Sequence, residues 1–485
     1  MSSDPGASYY AGFVALCIIT LKAVNEEVTE PYMDEPFHVP QAQAYCKGDY
    51  WTWDPKITTP PGLYVLSLLL KQVFMFKCNL SMLRLTPALS LAALPFALTR
   101  LLCYHKRVRL PHTVFAPTTE AVVLASFPIA WFFGFLYYTE TPSVFFVVAT
   151  VVAASQGRHW LAALLGAVSC TFRQNNIVWV LYAYASSQLM YLRFRRAPPG
   201  ARPLAKLHDP PALDATPADL IQCIITFPGV LVDILGAFVP YALVLAGFGA
   251  FVVWNGGIVL GDKSNHVPAL HIPQLYYFVG FATMMGWPAL ISGKGGPHAL
   301  ARDVWNRMFG SARNTVATVA TAALMGVTVY KFTIHHPFLL ADNRHYTFYV
   351  WRRIFMMHPV VPYLLIPGYI ACAWAWFIRI GQDQTLLQNL LLPVFVLPTL
   401  IPTPLLEPRY FLIPYILLRA QVVDVPLWAV LGEGFWYGLI NAATIKLNRE
   451  RVVTGHQPIT GTPSSQRLSS DPRGPTLPLP ALKRP

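Results

Sequence analysis

The sequence predicts an all-α polytopic membrane protein, and three observations carry that expectation. Of its 485 residues, 54% are hydrophobic and only 12% charged, whereas charged residues approach a quarter of a soluble globular domain. Apolar runs recur near 9–24, 60–77, 82–103, 119–138, 142–156, 160–191, 222–254, 274–292, 314–330, 359–378, 387–405 and 409–445, and about 20 residues suffice to cross a bilayer. The loops between them differ in the sign of their charge, as loops on two sides of a membrane do. Some runs are short and others over-long, so roughly 10 to 14 transmembrane helices are expected.

The first run has neither a basic leader nor a small-residue cleavage site, so it reads as a retained span rather than a removed signal peptide. The loop 25–59 carries Glu26, Glu27, Glu30, Asp34, Glu35, Asp49 and Asp54 against Lys47 and Lys56, and is expected to face the lumen or the exterior. The stretch "YLRFRRAPPGARPLAK" (191–206) has basic residues and no acid, and Lys294 to Arg313 holds Lys294, Arg302, Arg307 and Arg313 against Asp303 alone; both are expected in the cytosol. The formal charge of +13 thus belongs to membrane topology and not to nucleic-acid binding. Parity does not close, however. The five runs from 60–77 to 160–191 connect an outer 25–59 to an inner 191–206, yet they leave the basic turn "HKRVRL" (105–110) outside. Either the charge rule is broken there or one short run does not cross, and the sequence leaves both open.

One integral membrane domain, 1–449, is expected, with a first luminal loop at 25–59, a second at about 331–357, and a cytosolic Pro- and Arg-rich linker at 192–219. The tail 450–485 is too polar to repay ordering and is expected to be disordered, with 197–219 similar in kind. The seven cysteines show no metal-type or disulfide-framework spacing. The sequon Asn79-Leu80-Ser81 falls in a short turn expected on the cytosolic side, out of reach of a glycosylating enzyme.

Nucleotide-binding, zinc-protease and hydrolase motifs are absent, as is D-x-D. What remains is acid and base. In "EPYMDEPFHVPQA" (30–42), Asp34 and Glu35 stand close beyond the first span, where partial desolvation and a like-charged neighbour favour general-base chemistry. A solvated acidic loop is the plain alternative, but the surrounding aromatics and prolines, on through "WDPKITTPPGLY" (53–64), favour a shaped site that includes His38, Trp53 and Asp54. A second cluster, "LLADNRHYTFYVWRR" (339–353), holds Asp342, Asn343, Arg344, His345, Arg352 and Arg353. Its guanidinium forks suit a phosphate, or equally lipid headgroups. Glu140 in "YYTETP", Arg173 and Gln174 in "FRQNN", and Glu407 and Arg409 in "LLEPRYFLIPY" lie at span edges, where charge is costly and hence a functional candidate. Adjacent His335 and His336 do not make a metal site, and neither metal nor cofactor is expected. Trp51, Trp53, Tyr346 and Trp351 read as an interfacial belt or as platforms for sugar rings.

The segments "EPYMDEPFHVPQAQAYC", "WDPKITTPPGLY", "YYTE", "FRQNNIVW", "NGGIVLGDKSNH", "LADNRHYTFYVW" and "LLEPRYFLIPY" together resemble the signature stretches of a known family. It comprises the endoplasmic-reticulum, dolichyl-phosphate-glucose-dependent α-1,2-glucosyltransferases that add the third, terminal glucose to the dolichol-linked oligosaccharide. The resemblance implies a C-superfamily glycosyltransferase (GT-C) fold, a multi-pass location in the endoplasmic-reticulum membrane with its lipid, and a luminal active site. It also implies dolichyl-phosphate-glucose as donor and Glc2Man9GlcNAc2 on dolichyl pyrophosphate as acceptor. By the same resemblance the base maps to Asp34, with Glu35 as fallback, and one inversion requires no second acid. Arg344, His345, Arg409 and Arg173 are expected at the donor phosphate. His38, Trp53, Asp54, Glu140, Gln174, Asp342, Asn343, Tyr346 and Glu407 are expected around the substrates. A secondary transporter, or a non-enzymatic membrane subunit, is the rival reading. A transporter calls for internal repeats and paired broken helices, which the sequence lacks.

Overall fold

The computed structural model describes residues 6–108, 116–196, 204–263, 267–336, 339 and 346–453. Asp342, Asn343, Arg344 and His345 lie outside the described residues, as does the tail from 454 onward. Tyr346 begins a short helix, Tyr346–Val350. The described residues are helical apart from loops and one isolated bridge.

Helix α1 (Gly6–Glu27) leads to α2 (Glu35–Cys46), and then to α3 (Gly62–Phe74) and α4 (Leu85–Lys106). The run 119–138 is not one helix. Thr118 caps α5 (Thr119–Ala125) by accepting from Ala121 N, and Pro128 opens α6 (Pro128–Phe133), so two short helices replace it. The run 160–191 also divides. After α7 (Glu140–Ser155), the turn at Arg173 separates α8 (His159–Cys170) from α9 (Ile177–Phe194). Then comes α10 (Pro217–Asn255), opened by a capping box between Thr216 and Asp219 and closed by Gly256 at φ +66°. The longer helices that follow are α11 (Gln274–Ile291), α12 (Gly296–Phe309), α13 (Ala312–Phe332), α14 (Ile366–Gly381), α15 (Leu386–Leu400), α16 (Leu412–Ala420) and α17 (Leu427–Val453). Among the described residues five helices are long and apolar enough to cross a membrane, and four shorter apolar ones accompany them. The chain is therefore multi-pass. Helix α7 forms the floor of the core, buried along most of its length between α4, α8 and α9. By contrast α10, 39 residues long, leaves most of its apolar surface exposed, as a helix bathed in lipid does.

A disulfide joins Cys46 to Cys78, against the expectation of no cystine framework. The spacing gave no hint because only two of the seven cysteines pair, and they do so across a helix. Lys71 Nζ donates to Cys46 O at 3.0 Å, and Gln43 Nε2 to Cys78 O at 3.1 Å. The far end of α3 is thus tied to α2, while Gly62 N bonds Thr171 O at 2.9 Å at its near end. Both ends of α3 lie with the first loop, and 13 residues span only about 20 Å. So the run 60–77 does not cross, and parity closes. With α3 removed, α4, the α5–α6 pair, α7, α8 and α9 give an odd number of passes, and residues 105–107 fall on the same side as 191–196. Asn79 lies with the first loop rather than opposite it, which overturns the expected placing of the sequon; its Oδ1 accepts from Met82 N at 2.9 Å.

The second part of the linker is ordered, contrary to expectation. Ala212 N bonds Gln384 O at 3.1 Å, Leu386 N bonds Pro210 O at 2.9 Å, and Leu387 N bonds Asp209 Oδ1 at 2.9 Å. Backbone pairing compensates where the stretch has little apolar surface to bury. Helix α17 also runs on to Val453, past the expected start of the tail.

Candidate active site

The charged residues scattered through the sequence converge at the end of the bundle that carries the first loop. Asp34 precedes α2, and its backbone N–H donates to the Tyr138 hydroxyl, which fixes it beside the start of α7. Its Oδ2 lies 3.1 Å from Arg409 Nη1. The same Nη1 is 3.6 Å from Glu140 Oε1, and Arg409 Nε is paired with Glu407. Arg173 Nη2 is paired with Glu140 from the other side, while Arg173 Nε is buried with no hydrogen-bond partner. Two guanidinium groups and three carboxylates thus form one chain, with Glu140 shared. Tyr410 lies against both cations, its ring centroid 5.9 Å from the Arg173 guanidinium carbon and 5.8 Å from that of Arg409.

Exposure sorts the carboxylates. The Asp34 side chain is 45% exposed, whereas Glu140 is 2% and Glu35 0% exposed. Glu35 points inward: Arg84 Nε and Nη2 donate to its two oxygens at 2.9 and 2.6 Å, and the backbone N–H groups of Tyr137 and Tyr32 at 2.7 and 2.9 Å. Each of its oxygens therefore has two donors.

His38 stands one turn along α2 from Asp34, with Nδ1 2.7 Å from the Tyr64 hydroxyl. Burial pushes its imidazole below the ordinary value, opposed by Asp34 and Glu140 and reinforced by Arg409 and Arg173. Burial works against the Arg409 charge too, but Glu407, Tyr410, Asp34 and Glu140 outweigh it and hold the guanidinium well above its usual value. The Tyr410 hydroxyl is pushed up to about 12 by burial first and Glu407 next. Arg409 is cationic and Tyr410 neutral across the physiological range.

Of the residues singled out from sequence, Asp34, Glu140, Arg173, Glu407 and Arg409 meet, with His38 beside them. Gln174 supports the site indirectly, donating to Thr58 O at 2.7 Å. Trp53 and Asp54 serve the first loop's own turn: Trp53 Nε1 donates to Ile57 O at 3.1 Å, and Asp54 accepts from Lys56 N at 2.9 Å. The neighbouring loop "NGGIVLGD" closes onto that turn, with Leu260 N on Thr58 O and Asp262 N on Pro55 O. Trp351 is 1% exposed, packed on Phe355 and bonded through Nε1 to His335, so it belongs to neither a belt nor a sugar platform. Tyr64, Tyr138 and Tyr410 were missed as site residues. For Tyr138 and Tyr410 the signal was their position beside the charges, in "YYTE" and "EPRY"; Tyr64, at the end of "WDPKITTPPGLY", has no charge beside it. Among the described residues no group of three metal-type side chains is found.

The DIE2/ALG10 family model matches residues 28–420. A rat (Rattus norvegicus) protein named Dol-P-Glc:Glc(2)Man(9)GlcNAc(2)-PP-Dol alpha-1,2-glucosyltransferase is 35% identical over 456 residues, covering 89% of this chain and 92% of its own. A human (Homo sapiens) protein of the same name is 34% identical over 452 residues, with coverage of 89% and 92%. An Arabidopsis thaliana protein, again of that name, is 34% identical over 488 residues, with coverage of 88% and 93%. No solved structure matches the chain. With the family match spanning the converged charges from Asp34 to Arg409, the chain belongs to the DIE2/ALG10 family.

Proposed function

We propose that this chain is an inverting α-1,2-glucosyltransferase of the endoplasmic-reticulum membrane. It moves glucose from dolichyl-phosphate-glucose to Glc2Man9GlcNAc2-PP-dolichol in a site facing the lumen, the last step in assembling the oligosaccharide for protein N-glycosylation. The observation that carries this reading, beyond the relatives' shared name, is the half-exposed Asp34 carboxylate set against Arg409 and, through Glu140, Arg173.

Asp34 is the general base and takes the proton from the 2-hydroxyl of the acceptor's terminal glucose. As that oxygen bonds to the anomeric carbon, the bond from carbon to the dolichyl phosphate oxygen breaks and the phosphate leaves with the electron pair. A β-linked donor then gives an α product in a single displacement. Arg173 and Arg409 hold the phosphate as charge builds on it, Arg173 through the Nε–H that has no protein partner. The leaving phosphate needs no proton, so no second acid is required. Tyr410, lying against both guanidinium planes, keeps them from turning away. The GT-C fold, and contributions from Arg344, His345, Asp342, Asn343 and Tyr346 in the second loop, belong to the same proposal.

The test is the lipid-linked oligosaccharide profile of cells lacking the protein. The two-glucose species should accumulate, and re-expression of the wild type, but not of Asp34→Asn, should restore the three-glucose species. A normal profile without the protein would dismiss the reading.

A further inference from the structure

Asp34 stands between two residues that leave it little freedom. Met33, before it, takes a left-handed conformation at φ +58°, uncommon for a side chain of its shape. Glu35, after it, is buried and engaged by four donors, two of them from Arg84. Arg84 is itself 0% exposed, and its Nη1 reaches Asn25 Oδ1 at 3.3 Å and Val28 O at 2.8 Å. One buried guanidinium thus ties the end of α1, the first loop and the start of α4, while Glu35 adds the turn at Tyr137. The next residue, Tyr138, takes the Asp34 N–H through its hydroxyl. The bonds of the pair run to one another, Asn25, Val28, Tyr32 and Tyr137, and not to Arg409, Glu140 or Arg173.

The geometry points to the Arg84–Glu35 pair as the positioning element of the base: it fixes the backbone on either side of Asp34, so that the carboxylate meets Arg409 and the acceptor hydroxyl at one angle. This rests on Asp34 being the base. Removing two charges from water is costly, and an apolar pair of similar volume would hold the four segments together at least as well. What an apolar pair lacks is direction. Two bonds from a planar fork, with two backbone donors on the same carboxylate, admit a single orientation of residue 35, and the neighbouring carboxylate inherits it.

The experiment measures single-turnover transfer with the purified full chain, dolichyl-phosphate-glucose and the two-glucose acceptor, per mole of protein that remains monodisperse. Glu35→Gln should lower the rate about 10²-fold, the scale of a misplacement near 1 Å, with the donor KM changed by less than about threefold. In the Asp34→Asn background the same change should cost nothing further, because a residue acting through Asp34 has nothing left to position. Arg84→Gln leaves a buried anion and can fail to fold, so the double variant Arg84→Met/Glu35→Gln is made as well; it should stay monodisperse and remain as slow as Glu35→Gln. A full rate in Glu35→Gln or in the double variant, or an undiminished loss on top of Asp34→Asn, overturns the positioning role alone. Near-normal transfer by Asp34→Asn overturns the base assignment, and the positioning role with it.

Discussion

Arg409 Nη1 lies 3.1 Å from Asp34 Oδ2, although the two residues are 375 positions apart in the chain. The contact joins the first loop to the turn before α16, and it sets a cation beside a half-exposed carboxylate, the pair that the proposed displacement calls for. If this is the reacting centre, Asp34→Asn should lower transfer by about 10²–10⁴-fold, the worth of a general base. Its partly exposed side chain leaves no buried charge behind, so expression and thermal midpoint should stay near wild type. Microsomal transfer assays beside a melting curve check both halves, and unaltered transfer would refute the assignment.

The guanidinium groups should behave differently from the base. Arg409→Gln leaves Asp34, Glu140 and Glu407 without their shared cation. Like charges then repel, and transfer should fall about 10²–10³-fold, as when one donor to a developing anion is lost. Arg173→Lys keeps the charge but loses the planar fork and the free Nε–H. It should raise the donor KM and lower kcat, while the acceptor KM stays unchanged. Steady-state kinetics with each substrate varied in turn separates these outcomes.

How much of this was legible beforehand depended on range. Apolar length and loop charge are local, so the helical membrane class and the two charged faces could be read from residues 25–59 and 191–206 directly. The family segments also named Asp34, Glu140, Arg173 and Arg409 one by one. Their meeting could not be read, because it depends on where α7, α8 and α16 end relative to one another. The same limit hid Tyr138 and Tyr410, whose roles come from contacts with Asp34 and with two arginines. Hydropathy misjudged α3, since a 13-residue apolar helix tied at both ends to the first loop has the composition of a short span.

His38 gives the site a pH dependence with a definite sign. Burial lowers its folded-state pKa below the unfolded value, about 6.5. As pH falls through 6.5 the unfolded chain takes up a proton that the folded chain resists, so stability is present above that value and is lost below it until the folded imidazole also protonates. The thermal midpoint should therefore drop between pH 7.5 and pH 5.5, and His38→Gln should lessen that drop. An equal drop in the variant would assign the loss to other groups.

The Cys46–Cys78 bond closes a loop with a sequence separation of 32, which in the chain-entropy account is worth about 3–4 kcal/mol. It ties the end of α2, in the first loop, to the approach to α4. Cys46→Ser/Cys78→Ser should lower the thermal midpoint and make the 47–60 segment easier for a protease to cut. The intact bond should also show as a mobility shift on reduction, absent from the double variant, while the five other cysteines contribute none.

The topology offers the last test, and it follows from the same tie. Since both ends of α3 are bonded to the first-loop end, residue 77 must lie on the side of residue 50, and 105–107 on the opposite side with 191–196. A crossing α3 would reverse the first of these relations. Single cysteines placed at Lys77, at Arg107 and at Arg196, in a chain whose Cys46–Cys78 bond is retained, should divide one against two when sealed microsomes meet a thiol reagent that cannot enter. Arg107 and Arg196 should be labelled at once, in keeping with their positive charge on the cytosolic face. Lys77 should be labelled only after permeabilisation. If Lys77 and Arg196 were labelled together, α3 would be a span, and the ties that join its two ends to the first loop could not both hold.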